Sequence, residues 1–145
     1  RQVSGSQIRH ATLKKFDERS TGSKCYNSRT GVGIGGGNKD GYSIRVATAD
    51  LLARREAKKV LVVLSDGLPS DYNGGTRAGL NDVREAVREA RRKGVIVIPI
   101  MFGRASDREQ MKDNFSYMYG QFISCDPIDI TDEFTKLFTK LIQTA

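Results

Sequence analysis

Two uninterrupted apolar runs, VLVVL at 60–64 and VIVIPIMF at 95–102, constrain what this chain can fold into more than any other feature. A strand with one face in water alternates apolar and polar residues. A run that is apolar at every position and rich in Val and Ile suits a strand covered on both faces, the habit of parallel sheets. A weaker run, QFISC at 121–125, extends the series. Pro99 lies inside the second run. Without an N–H it cannot donate to a ladder, so a bulge or a local edge is expected there.

Helical patterns separate the runs. Ile44, Ala47 and Leu51 recur at helical spacing before the first run, and Val83, Ala86, Val87 and Ala90 do so after it. Asp82 with Glu85 three residues on has capping-box spacing and predicts the start of that second helix, while Gly94 predicts its end. Ser106 and Glu109 predict another start, for a short helix through about Asn114. Thr131 is the expected N-cap of a last helix striped by Phe134, Leu137, Phe138 and Leu141. Near the beginning, residues 7–16 form a strand pattern with Ile8, Ala11 and Leu13 as its apolar members. Strands alternating with helices imply crossover connections. The fold class is therefore α/β, a three-layer, mostly parallel sheet flanked by helices, in one domain over residues 1–145.

Composition narrows function by exclusion. No apolar run approaches the roughly 20 residues a membrane helix needs. Cys25 and Cys125 lack CxxC spacing, and His10 is the one histidine, so no zinc site is expected. A net charge of +7 raises nucleic acid as a partner. Yet Arg84, Arg88, Arg91, Arg92 and Lys93 interleave with Glu85 and Glu89, the pattern of a solvated helix face, and no aromatic platform accompanies them. Gly31, Gly33 and Gly36 fit GxGxxG, but no buried strand precedes them and the next helix begins only near Gly41. Ser65 lacks a GxSxG setting. Neither nucleic acid, nor a membrane, nor catalysis is expected.

What remains is the polar segment that ends the first run. VLVVL leads straight into Ser65, Asp66 and Gly67. In an open parallel sheet, ligands bind beyond the carboxyl ends of the strands. A carboxylate buried there without donors or a cation would be costly. Asp66 is thus either a cap on the following loop or a ligand to a hard cation such as Mg²⁺, which prefers oxygen donors. The Gly-rich stretch GVGIGGGNKDG at 31–41 ends in Asn38, Lys39 and Asp40, just before a helix. Parallel topology aims that loop at the same rim, so Asp40 and Asp66 are expected to converge. Two such carboxylates repel unless a cation sits between them.

VLVVLSDGLPSD, followed by a helix and VIVIPIMFG, resembles the later part of a von Willebrand factor type A domain. The likeness runs from about Ile8 to the C-terminus and is strongest between Gly35 and Gly103. It implies a doubly wound fold with a metal-ion-dependent adhesion site. In that family the ligands come from an Asp-x-Ser-x-Ser motif after the first strand, a Thr or Asp in a middle loop, and an Asp after a later strand. Asp66 matches the last position. Asp40 matches the middle one as it occurs in a bacterial branch resembling cobaltochelatase subunits and nitric oxide reductase activation proteins. By this resemblance Ser65, Asn38 and Gly67 would orient the ligands, and Pro69, Ser70, Asp71 and Tyr72 would shape a partner-facing rim. The full-length domain would hold Mg²⁺ or Mn²⁺, its coordination completed by an acidic residue of a protein partner. The branch further implies a cytoplasmic, chaperone-like complex with an AAA-type ATPase that activates or metallates a client enzyme.

One departure accompanies the likeness. Gln2, Ser4 and Ser6 imitate the first motif, but too few residues separate them from the next strand to hold a helix. The chain is therefore expected to lack the family's first strand–helix–strand unit and to bind no metal by itself. It would also bare an apolar central sheet edge, to be filled by the 7–16 strand or shared with a second copy as a homodimer. Two alternatives stay open: an α/β piece in which SDG and NKDG are only loop caps, and a nucleotide- or phosphate-binding enzyme domain.

Overall fold

The computed structural model describes residues 14–17 and 37–143, the last three as backbone. Its elements are α1 (Asp40–Leu52), β1 (Lys59–Ser65), α2 (Gly75–Arg92), β2 (Val95–Phe102), α3 (Ala105–Tyr119), β3 (Ile123–Cys125), a 3₁₀ turn (Pro127–Asp129) and α4 (Ile130–Gln143). The strands form one parallel sheet in the order β1-β2-β3. β1 and β2 pair without interruption from Lys59↔Val95 to Ser65↔Met101. β3 meets only the end of β2, beginning at Ile100↔Ile123.

The continuous apolar runs are explained by what lies on each side of the sheet. Leu61, Val63, Val97 and Met101 face one way, into a core with Ile44 of α1, Leu80, Val83 and Val87 of α2, and Phe115 and Tyr119 of α3. The intervening residues Val60, Val62, Ile98 and Ile100 face the other way, toward Ile130 and Leu137 of α4. Helices on both faces give the expected three layers. Each fully buried Val, Ile or Phe contributes roughly 1.5–3 kcal/mol, so these alternating contacts dominate the driving force.

The unbroken β1–β2 register rules out a bulge at Pro99. A local edge is found instead. β3 pairs only from Ile100 onward, so at Pro99 one side of β2 has no strand neighbour among the described residues, the setting in which a strand tolerates proline.

Helix starts differ from the capping signals. α2 begins at Gly75, so Asp82 and Glu85 lie inside it and form no capping box. α3 begins at Ala105 without a side-chain cap and runs on to Tyr119. Thr131 lies within α4, where its carbonyl accepts a hydrogen bond from the Thr135 hydroxyl, and the cap in this region is Asp126, which accepts from the Ile128 N–H of the 3₁₀ turn. On α4, Leu137 packs inward, while Phe134 and Phe138 stack on each other at the surface with centroids 6.0 Å apart.

Of the strand expected over 7–16, all but its end lies outside the described residues, and residues 14–17 form a bend and a turn. Gln2, Ser4, Ser6 and the glycines at 31, 33 and 36 also lie outside them.

Candidate functional site

The carboxyl end of β1 passes through Ser65 into an exposed Asp66. The Ser65 hydroxyl donates to the Gly67 carbonyl at 2.9 Å, closing the turn that presents Asp66 instead of bonding to it. Beyond it, Ser70 and Asp71 are held by Asn38, the residue that leads into α1. Both of their backbone N–H groups donate to the Asn38 carbonyl at 3.3 Å. The Asn38 side-chain oxygen also accepts from the Ser70 N–H at 2.9 Å and the Ser70 hydroxyl at 2.8 Å. In return, the Asn38 N–H donates to the Ser70 hydroxyl oxygen at 3.2 Å. This clasp joins two loops that lie far apart in sequence at one lip, beyond the carboxyl end of the sheet.

Asp40 is the first residue of α1, so its charge sits at the positive end of the helix dipole. The amide nitrogen of Asn38 donates to both of its carboxylate oxygens, at 3.0 and 3.1 Å. Its pKa is nevertheless raised above the ordinary 3.8: burial is the largest cause, the Asn38 hydrogen bond opposes it, and the negative charge of Asp66 adds to it. Asp66 thus acts electrostatically on Asp40, as two carboxylates at one lip must.

Behind the lip lies a polar strut that sequence reasoning missed. The Tyr72 hydroxyl accepts from the Gly41 N–H at 3.3 Å and donates to Asp82 at 2.8 Å. Arg45 of α1 donates to Asp82 at 2.7 Å and, in a fork, to Glu89 at 2.9 and 3.2 Å. Helices α1 and α2 are so close here that a Cβ on Gly41 would run into the Asp82 carboxylate. The glycine directly after Asp40 was the one sequence sign of this approach. Tyr72 is therefore a half-buried brace that fixes the start of α1. Of its neighbours, Pro69 is buried against Gly79, Ser70 is exposed and Asp71 is half-buried. Lys39 lies 4.0 Å from Asp71.

The donor set suits a hard cation in kind, since both side chains are carboxylates and the charge of Asp66 reaches Asp40. In number it falls short. Among the described residues, no three His, Cys, Asp or Glu side chains cluster to hold a metal.

Residues 28–118, a span containing both carboxylates and the strut, match the von Willebrand factor type A domain. The chain belongs to this family. Divalent metals are often used by VWA domains, which are generally non-catalytic modules for protein–protein interaction. Similar proteins include YojO of Bacillus subtilis (strain 168), 41% identical over 85 residues, covering 59% of this chain and 13% of the relative. Protein NorD of Brucella suis biovar 1 (strain 1330) is 38% identical over 102 residues, covering 68% and 16%. Protein PA0525 of Pseudomonas aeruginosa is 31% identical over 121 residues, covering 81% and 18%. The VWA domain seen here thus spans less than a fifth of the length of these relatives. No helix among the described residues is long and apolar enough to cross a membrane.

Proposed function

We propose that this VWA domain is the metal-dependent protein-binding part of a larger protein, with Asp40 and Asp66 as its contribution to a Mg²⁺ or Mn²⁺ site. The observation that carries the reading is the Asn38–Ser70 clasp, which brings Asp40 to the loop that follows Asp66. Asn38 orients Asp40, the turn closed by Ser65 and Gly67 presents Asp66, and Tyr72 fixes the helix end on which Asp40 stands. A bound cation would supply the positive charge that an acidic side chain of the partner recognises. The remaining ligands would come from the family's Asp-x-Ser-x-Ser loop. Exposed Ser70 and half-buried Asp71 border the lip where the partner would sit.

The chain is similar to proteins named NorD. The finer placement, in a branch with nitric oxide reductase activation proteins and cobaltochelatase subunits, rests on the acidic Asp40 at the middle-ligand position. In that branch the domain would act in a cytoplasmic complex with an AAA-type ATPase, on a client enzyme. Calorimetric titration of the full-length domain with Mn²⁺ tests the ligand role. Binding heat is expected for the wild type and is expected to vanish in Asp66→Ala. Equal heats from the two proteins would remove Asp66 from the site and leave the loop-cap reading ahead.

A further inference from the structure

The solvent face of α2 carries arginines in two different situations. Arg88 is paired with Glu85 at 2.9 Å, and Glu89 is occupied by Arg45. Arg77 and Arg84, by contrast, meet no carboxylate among the described residues. Both lie over the ring of Tyr117 from α3, with guanidinium carbons 4.4 and 4.5 Å from its centroid. The Tyr117 hydroxyl donates to Asn81 at 2.6 Å. Residues 77, 81 and 84 share one helical face, so the ring is anchored through its hydroxyl and flanked by two cations.

The ring face attracts each guanidinium, but other charges oppose the arrangement. Two like charges against one ring repel each other. Arg77 also stands in the first turn of α2, where the helix dipole disfavours a cation and no acidic residue offsets it. Stacking on a ring holds each guanidinium plane in place and leaves its N–H edge available for a carboxylate, which it can grip with two parallel hydrogen bonds.

We propose that Arg77 and Arg84, set by Tyr117 and Asn81, form a docking surface for an acidic segment of a partner protein. Carboxylates fit this surface better than a nucleic acid does. The Tyr117 ring is occupied by guanidinium groups and cannot also stack a base. Glu85, between Arg84 and Arg88, interrupts the basic track a phosphate backbone would follow. The surface uses neither Asp40 nor Asp66, so it stands whether or not the lip holds a cation.

A short fluorescein-labelled peptide rich in Glu, titrated with the chain at low salt and followed by anisotropy, tests this. Arg77→Gln combined with Arg84→Gln is expected to weaken binding by roughly tenfold. The same charge change at Arg91 and Arg92, further along the helix, is expected to cost no more than about threefold. Arg77→Lys with Arg84→Lys, which retains the charge but not the planar fork, should also lose affinity with an unchanged melting temperature. Three results overturn the proposal: no binding to the wild type, equal losses in the two Gln pairs, or full affinity in the Lys pair. Tighter binding of a single-stranded oligonucleotide, lost in the Arg77/Arg84 Gln pair, would assign the surface to nucleic acid instead.

Discussion

Asp40 keeps a charge where its surroundings resist one. Burial and then Asp66 push its pKa up, and the two hydrogen bonds from Asn38 only partly offset them. A carboxyl whose pKa is higher folded than unfolded binds its proton more tightly in the fold. Its contribution is therefore most favourable below the ordinary 3.8, and it declines as pH rises through the raised value. At neutral pH the ionised Asp40 opposes folding, unless a cation relieves it. Asp40→Asn preserves an acceptor for Asn38 and removes the charge. In chelator-treated buffer the variant is expected to melt higher than the wild type at pH 7, with the gap closing as the pH is lowered toward 3.8. In the full-length domain, where the remaining ligands are present, saturating Mg²⁺ should raise the wild type and leave the variant unmoved. Parallel melting curves across that pH range would show that the lip does not strain Asp40.

Between elements, the decisive tie is Arg45, which links α1 to Asp82 and Glu89 of α2. All three side chains are about a third exposed, so solvent screens the pairs. Two linked pairs, one of them forked, are still expected to contribute about 1–2 kcal/mol together. The hydrogen bond from Arg45 is the main reason the Glu89 pKa lies below its ordinary 4.5. A lowered carboxyl pKa gives stability that is present above 4.5 and lost as pH falls through the lowered value. Arg45→Met should therefore weaken the domain in urea at pH 7, with the deficit shrinking below pH 4.5; a deficit that persisted in acid would mean the loss was one of packing. This tie also shows where sequence legibility ends. The buried strands and the meeting of the loop before α1 with the loop after β1 could be read locally, because strand runs and parallel connections leave a mark along the chain. The Asp82–Glu85 spacing pointed to a helix start, but both residues lie inside α2, and Asp82 serves a contact with α1 and Tyr72. Spacing alone cannot tell a cap from a cross-helix acceptor. Tyr72 was read only as a rim residue for the same reason: a tyrosine in a polar loop gives no sign that its hydroxyl turns inward. Ser106 and Thr131 failed as caps because each helix begins one residue earlier, at Ala105 and Ile130, which places both residues inside it.

Across the molecule, the sheet is asymmetric in a way its sequence anticipates. β2 is paired on both sides at its carboxyl end, whereas the outer side of β1 has no strand neighbour among the described residues. Lys59 is the one charged residue of β1, at its very start, so little guards that edge against another strand. On the α4 side, Leu64 and Ile96 are 54% and 39% exposed, large values for residues in the middle layer of a three-layer fold. Among the described residues, a strand edge without a neighbour and the uncovered side chain of Leu64 thus occur together on β1. We propose that a second copy of the chain pairs along β1, forming a homodimer through this edge. Leu64→Lys places a charge on the exposed apolar face without altering the core that faces α1 and α2. Sedimentation equilibrium over a concentration series is expected to show self-association of the wild type and a monomer for the variant. A wild type that stays monomeric throughout would leave the edge without this role, and the same association in both proteins would place the contact elsewhere.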